Sequence, residues 1–127
     1  MQELAKNTRL NKRKIGTKYE EIAVCYLISK GYKIIERNYR NLYGEIDILA
    51  KKDSTLLFFE VKFRSDGSYG DPLEAVNHWK QKRISKAALY YYAKNGYAKN
   101  LPCRFDVIAI YGDGTINHIE NAFEFQW

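Results

Sequence analysis

The stretch Gly44-Glu-Ile-Asp-Ile-Leu-Ala-Lys-Lys-Asp-Ser-Thr-Leu-Leu-Phe-Phe-Glu-Val-Lys-Phe-Arg64 decides the fold. Two apolar runs rich in Ile, Leu, Val and Phe flank a short polar link, which is the pattern of a β-hairpin. Apolar residues stand at adjacent as well as alternate positions, so both faces of these strands are expected to be buried. Asp47, Glu60 and Lys62 lie within them, and a buried charge must be paired or bound to a cation. Residues i and i+2 share a face, which puts Glu60 and Lys62 on one side and Val61 and Phe63 on the other. If Lys51 faces Leu56, residues Lys52 to Thr55 form the loop. Asp47 then falls directly opposite Glu60, with Cβ atoms about 5 Å apart. Facing carboxylates repel, yet they make a seat for a hard divalent cation such as Mg²⁺ or Mn²⁺. Lys62 beside them could orient or deprotonate a water, or stabilise an oxyanion. The competing reading is an ordinary hairpin carrying an internal Glu60–Lys62 ion pair.

The totals narrow the classes around this hairpin. A chain of 127 residues with 46% hydrophobic and 15% aromatic residues is large and apolar enough for one globular domain. Cys25 and Cys103 show no metal-type spacing and sit in apolar runs, so they are expected as buried free thiols in a reducing compartment. No run near the N-terminus reads as a signal peptide, and none is long enough to span a membrane. A cytoplasmic location without membrane association follows as the expectation. Neither a phosphate-cradling Gly-x-x-x-x-Gly-Lys loop nor a dinucleotide fingerprint occurs.

Charge is unevenly placed. Residues 1–15 carry Lys6, Arg9, Lys12, Arg13 and Lys14 against Glu3, a net of +4. Residues 75–105 carry seven basic residues and no acid, a net of +7, so the total of +6 leaves −5 for the remainder, which holds Asp47 and Glu60. Acidic residues beside basic surfaces suit metal-assisted chemistry on a phosphodiester backbone. A solvated helix face and a loose tail would give the same counts.

Taken in order, residues 1–15 lack periodicity and read as a mobile basic tail, with a single domain over 16–127. A helix is expected from Thr17 to Lys30, stopped by Gly31, with Tyr19, Ile22, Ala23, Tyr26 and Leu27 inward. Glu20 lies at the border of that face. Thr17-x-x-Glu20 forms a capping box, the better reading on local grounds; the alternative is a further carboxylate for the metal site. Tyr32–Arg40 reads as a strand, and Arg64–Gly70 as a loop beside the site. Asp71-Pro72-Leu73-Glu74 opens a helical stretch to about Asn95, with Asn77 a second credible N-cap. Ile84, Ala87, Ala88 and Tyr91 face inward, while Lys80, Lys82, Arg83 and Lys86 cluster in the first half of the stretch. Tyr90 to Tyr92 could stack on bases, although at helical spacing at least one belongs in the core. Cys103–Tyr111 is a strand, turned by Gly112-Asp-Gly114 into Thr115–Glu120. Phe123, Phe125 and Trp127 alternate as if packed on the sheet edge. Asp106 pairs with Arg104 or another base, or else joins the site. His78 and His118 read as surface residues. The order implies a mixed central sheet flanked by helices, an α/β or α+β sandwich.

Gly44-Glu-Ile-Asp47 followed by Phe59-Glu60-Val-Lys62-x-Arg64 resembles the YraN family of predicted endonucleases, within the PD-(D/E)xK or restriction-endonuclease-like superfamily and related to archaeal Holliday junction resolvases. The resemblance extends through Gly16-x-x-x-Glu20-x-x-Ala23-x-x-x-Leu27, Gly31-Tyr32, Arg37-Asn38-x-Arg40, Lys80 and Arg104-Phe-Asp106-Val. It implies the αβββαβ core and a metal-dependent endonuclease acting on DNA. Asp47 and Glu60 would be metal ligands for Mg²⁺ or Mn²⁺, Lys62 the catalytic lysine and Glu20 the helix-borne acid. Ile46-Asp47 replaces the superfamily's Pro-Asp, and Tyr19 stands where many relatives have glycine. Lys80, Lys82, Arg83, Lys86, Arg64, Arg13 and Lys14 would hold DNA, by shape and not by sequence, with branched, flapped or single-stranded DNA expected as substrate. A homodimer is one of the states open to such a chain. The class set against a nuclease is a nucleic-acid-binding module that keeps the fold without catalysis.

Overall fold

The structure, a computed structural model, describes residues 2–64, 76–95 and 101–126, with side chains from residue 16 onward. Its elements are α1 (Gln2–Ser29), β1 (Lys33–Asn41), β2 (Gly44–Lys52), β3 (Thr55–Arg64), α2 (His78–Lys94), β4 (Cys103–Tyr111) and β5 (Ile116–Phe123). The strands form one sheet in the order β1-β2-β3-β4-β5. β3 and β4 are parallel and the other pairs antiparallel. Parallel neighbours cannot be joined by a tight turn, and α2 lies in the connection between β3 and β4.

Each helix covers one face. Ala23 and Leu27 of α1 pack with Ile48, Leu57, Phe59, Ile108 and Ile110. Ile84, Ala87 and Ala88 of α2 pack with Leu49, Leu56, Phe58, Phe105 and Val107. Successive residues of β3 and β4 thus bury on opposite sides, as the two-faced apolar runs require. This is the expected restriction-endonuclease-like αβββαβ order and mixed sheet, extended by β5 at one edge.

Several local expectations hold. Gly31, at φ 89°, closes α1: its N–H donates to Ile28 O and that of Tyr32 to Leu27 O, the paired bonds of a left-handed helix end. Asn77 caps α2, its side chain accepting from Lys80 N at 3.0 Å. Other expectations are revised. The backbone of α1 begins at Gln2 instead of Thr17, so residues expected as an aperiodic tail continue the helix, and Thr17 lies within it and not at a cap. The β2–β3 ladder runs on to Lys52↔Thr55, leaving only Asp53 and Ser54 at positive φ in a tight turn. Cys25 is exposed and not buried, because it lies on the far side of α1 from Ala23 and Leu27. His118 is enclosed and not on the surface, its side chain 8% exposed and bonded to Asp106 and Tyr26. Phe123 and Phe125 pack on the Phe105 ring, so they cover a face of β4 and not an edge. Residues 65–75, which include most of the loop after Arg64 and the Asp71–Glu74 segment, lie outside the described residues, as do Gly96 and Trp127.

Candidate active site

β2 changes faces at Asp47. In a regular strand Ile46 and Ile48 would share a side. Here Ile46 joins the cluster beneath α2 and Ile48 the cluster beneath α1. On the neighbouring strand, Arg37↔Ile48 and Tyr39↔Ile46 flank Asn38, which sits at φ 53°. The β2–β3 ladder, in the expected register, has its last pair at Ile48↔Phe59. One rung further, where direct Asp47–Glu60 opposition was expected, the strands part. The Asp47 carboxylate enters that gap, and Val61 N–H donates to its Oδ2 at 2.8 Å. Gly44, at the start of β2, approaches α2 so closely that a Cβ there would stand 3.4 Å from Arg83 O.

Glu60, Lys62 and Lys80 meet beside this gap. Glu60 and Lys62 project from β3 toward α2, and Lys80 comes down from the first turn of α2. Glu60, 8% exposed, accepts from both ammonium groups on one oxygen: Oε1 lies 3.0 Å from Lys62 Nζ and 2.7 Å from Lys80 Nζ. Lys80, expected among the residues that hold DNA, lines the same cavity as Glu60 and Lys62. Arg83 and Glu45 complete the charged lining of a cavity of about 370 Å³ that also takes in Asp47, Glu60 and both lysines.

The electrostatics follow from this crowding. Burial, then the nearby Glu60 charge, push the Asp47 carboxyl up to about 7, against the opposing pull of the Val61 N–H. Burial and the adjacent Lys80 lower the Lys62 ammonium in spite of Glu60. Burial works against Lys80 as well, but its hydrogen bonds to Glu60 and Lys62 outweigh that and raise it. Of the two lysines, Lys62 is the one whose neutral form is brought nearer to working pH, and Lys80 the one held cationic.

The donor set fits a hard divalent cation. Two carboxylates in like-charge contact gain from a cation between them, and Mg²⁺ commonly uses one or two protein carboxylates while keeping several waters. Among the described residues no group of three or more His, Cys, Asp or Glu that could hold a metal ion occurs.

The remaining candidates divide. Glu20 turns to β1, accepting from Asn38 Nδ2 at 2.7 Å with Arg37 Nε at 3.5 Å, and does not line the cavity. It therefore does not form the expected cap; its partner Asn38 lies on β1 between Arg37 and Tyr39, which pair with Ile48 and Ile46 on either side of Asp47. Tyr19 stacks on Phe63 with centroids 3.7 Å apart, filling the space beside it. Arg64 ends β3 on the Glu60 and Lys62 side of the strand, and its buried Nε has no hydrogen-bond partner among the described residues. Lys82 is half-buried, and Arg83 and Lys86 are exposed. The side chains of Arg13 and Lys14 lie outside the described residues.

A second polar cluster was not anticipated in full. Asp106, with no exposed surface, accepts a two-pronged bond from Arg104 at 2.8 and 2.9 Å, the Asn121 N–H at 3.0 Å and a His118 contact at 2.8 Å. Burial alone would raise this carboxyl, but His118, Arg104 and the Asn121 N–H hold it below its ordinary value. Its acceptors are satisfied within the fold, so Asp106 stays apart from the Asp47 cavity, in the pairing its neighbour Arg104 led one to expect.

A profile of the uncharacterised protein family UPF0102 matches residues 19–110, the span holding every member of the Asp47 cavity. The UPF0102 protein of Clostridioides difficile is 49% identical over 115 residues, covering 90% of this chain and 100% of that protein. The one from Thermodesulfovibrio yellowstonii is 48% identical over 109 residues, covering 86% and 95% respectively. A Geobacter metallireducens relative is 48% identical over 118 residues, covering 91% and 96%.

Proposed function

Because the chain belongs to the uncharacterised protein family UPF0102, whose name assigns no activity, we propose from the site itself that the protein is a divalent-metal-dependent endonuclease acting on DNA. One observation carries the reading: Asp47, Glu60, Lys62 and Lys80 converge where the β2–β3 hairpin splays, in a cavity open to a basic helix.

Asp47 and Glu60 would hold Mg²⁺ or Mn²⁺, which supplies charge stabilisation for the phosphodiester and a more acidic water. Lys62, in the neutral amine form that burial favours, would accept the proton of the attacking water and become the ammonium as one ester P–O bond breaks, and the released alkoxide is protonated from solvent. Lys80, held cationic, stabilises the charge that develops on the phosphoryl oxygens. Arg83 at the cavity wall and Lys82 and Lys86 along α2 hold the backbone without reading bases. Selectivity then follows strand path and shape, favouring branched, flapped or single-stranded DNA over plain duplex.

The test is a panel of labelled junction, flap, single-stranded and duplex DNAs incubated with Mg²⁺ or Mn²⁺. Wild type should cut, and Lys62→Ala should bind equally but cut about 10²- to 10⁴-fold more slowly. Equal cutting by both would remove Lys62 from the reaction. Binding without cutting by wild type would favour a module that keeps the fold without catalysis, a reading to which the double lysine contact on Glu60 also lends itself.

A further inference from the structure

Helix α2 carries Lys80, Lys82, Arg83, Lys86 and Lys94 and no acid. Its buried side is Ile84, Ala87, Ala88 and Tyr91. Along the outer side, Trp79, Arg83, Lys86, Tyr90 and Lys94 recur at helical spacing and fall on one stripe that mixes aromatic and cationic groups. Trp79 is 78% exposed at the start of this stripe. At the other end the Tyr90 ring meets Tyr43, from the β1–β2 turn, with centroids 5.7 Å apart. Lys94 Nζ lies 5.2 Å from the Tyr90 ring centre and 3.1 Å from its hydroxyl. A groove of about 560 Å³ opens here, with Arg40, Leu42, Tyr90 and Lys94 in its wall. Arg83, in the middle of the stripe, also lines the Asp47 cavity.

We propose that this stripe is a binding track for a single polynucleotide strand, with bases stacking on Trp79 and on the Tyr43–Tyr90 pair and phosphates held by Arg83, Lys86, Lys94 and Arg40. The chemistry discriminates between occupants. A duplex presents phosphates but keeps its base faces stacked, so the exposed rings would find no partner. A helical protein partner needs a continuous apolar face, which the interleaved cations interrupt. A single strand offers both anionic backbone and free π-faces, matching the cations and the rings of the stripe together. Trp79 and Tyr90 are eleven residues apart, about 16 Å of helix axis, comparable with the shortest single-strand sites of about 4 nucleotides. The track rests on the nuclease reading only for what happens next: Arg83 places the strand at the Asp47 and Glu60 carboxylates.

Binding is measured without metal, in EDTA, by fluorescence anisotropy of labelled oligo-dT, oligo-U and a duplex of equal length. Wild type, Trp79→Ala, Trp79→Phe and the Tyr43→Ala/Tyr90→Ala pair are compared, with thermal melts checking that each variant is folded. Loss of stacking should weaken single-strand binding about 5- to 150-fold in Trp79→Ala and in the Tyr pair. Trp79→Phe should retain most of the affinity, and duplex binding should change less than about twofold. The ratio of dT to U affinity assigns the strand as DNA or RNA. A change of less than about twofold in both ring-deletion variants, or equal loss for single strand and duplex, overturns the track. Ring-dependent binding by a wild type that cuts nothing with metal keeps the track and removes the nuclease reading, so the two failures are distinct.

Discussion

Replacing Asp47 by asparagine should make the metal-free protein more stable, and by an amount that depends on pH. The amide is nearly isosteric and its oxygen can still accept the Val61 N–H, so the substitution removes charge and little else. The carboxyl is pushed from its ordinary 3.8 up to about 7, first by burial and then by Glu60. The folded protein therefore binds a proton that the unfolded chain has released across that window. Stability is retained below pH 3.8, lost as pH rises toward about 7, and stays lost above it. At about 1.36 kcal/mol per pH unit the full loss approaches about 4 kcal/mol, and the carboxyl's partial contact with solvent reduces it to about 2. In EDTA, Asp47→Asn should thus exceed wild type by about 2 kcal/mol at pH 8, and by a few tenths at pH 4. Urea denaturation at the two pH values measures the difference. An asparagine variant no more stable than wild type at pH 8, or an equal gain at both pH values, would refute the like-charge crowding at the hairpin gap.

Other outcomes follow from the same geometry. Lys80→Gln removes one of the two ammonium groups on Glu60 Oε1. A partly exposed pair of about 1 kcal/mol then translates into about fivefold tighter Mn²⁺ binding by calorimetry, and unchanged or weaker binding would contradict the competition. Asp106→Asn should destabilise the fold by about 1.5–3 kcal/mol in denaturant titrations, because it neutralises a fully buried carboxylate that the partly exposed Arg104 and the enclosed His118 both contact. A loss below about 1 kcal/mol would show that cluster to be dispensable. Of the two thiols, exposed Cys25 should be alkylated in the native protein well before Cys103, whose thiol burial pushes up to about 11; mass spectrometry resolves the order.

The hairpin register was legible because two-faced apolar runs leave few ways to pair: the observed Lys51↔Leu56 and Ile48↔Phe59 are the expected rungs. That Asp47 and Glu60 come together was legible for the same reason. How they come together was not. Ile46-Asp47-Ile48 reads as smooth alternation, and nothing in it announces that the flanking isoleucines bury on opposite faces. For Lys80 a signal existed in the helical period. It precedes the buried Ile84 by four residues and Ala87 by seven, which turns it inward, whereas Arg83 and Lys86 turn out. The same phase puts Cys25 away from Ala23 and Leu27. His118 had no local signal, because Asp106 and Tyr26, which enclose it, arrive from distant parts of the chain. Glu20 misled through its spacing to Thr17, since a capping box has meaning only if the helix starts there, and α1 starts earlier.

The account stands on the claim that Asp47 and Glu60 together seat a divalent cation. Mn²⁺ titration followed by water-proton relaxation tests this in wild type, Asp47→Asn and Glu60→Gln at pH 8. One site should appear in wild type and vanish in both variants. Because Asp47→Asn is expected to be the more stable protein, its loss of binding could not be laid to unfolding. Equal Mn²⁺ affinity in all three proteins would contradict the claim.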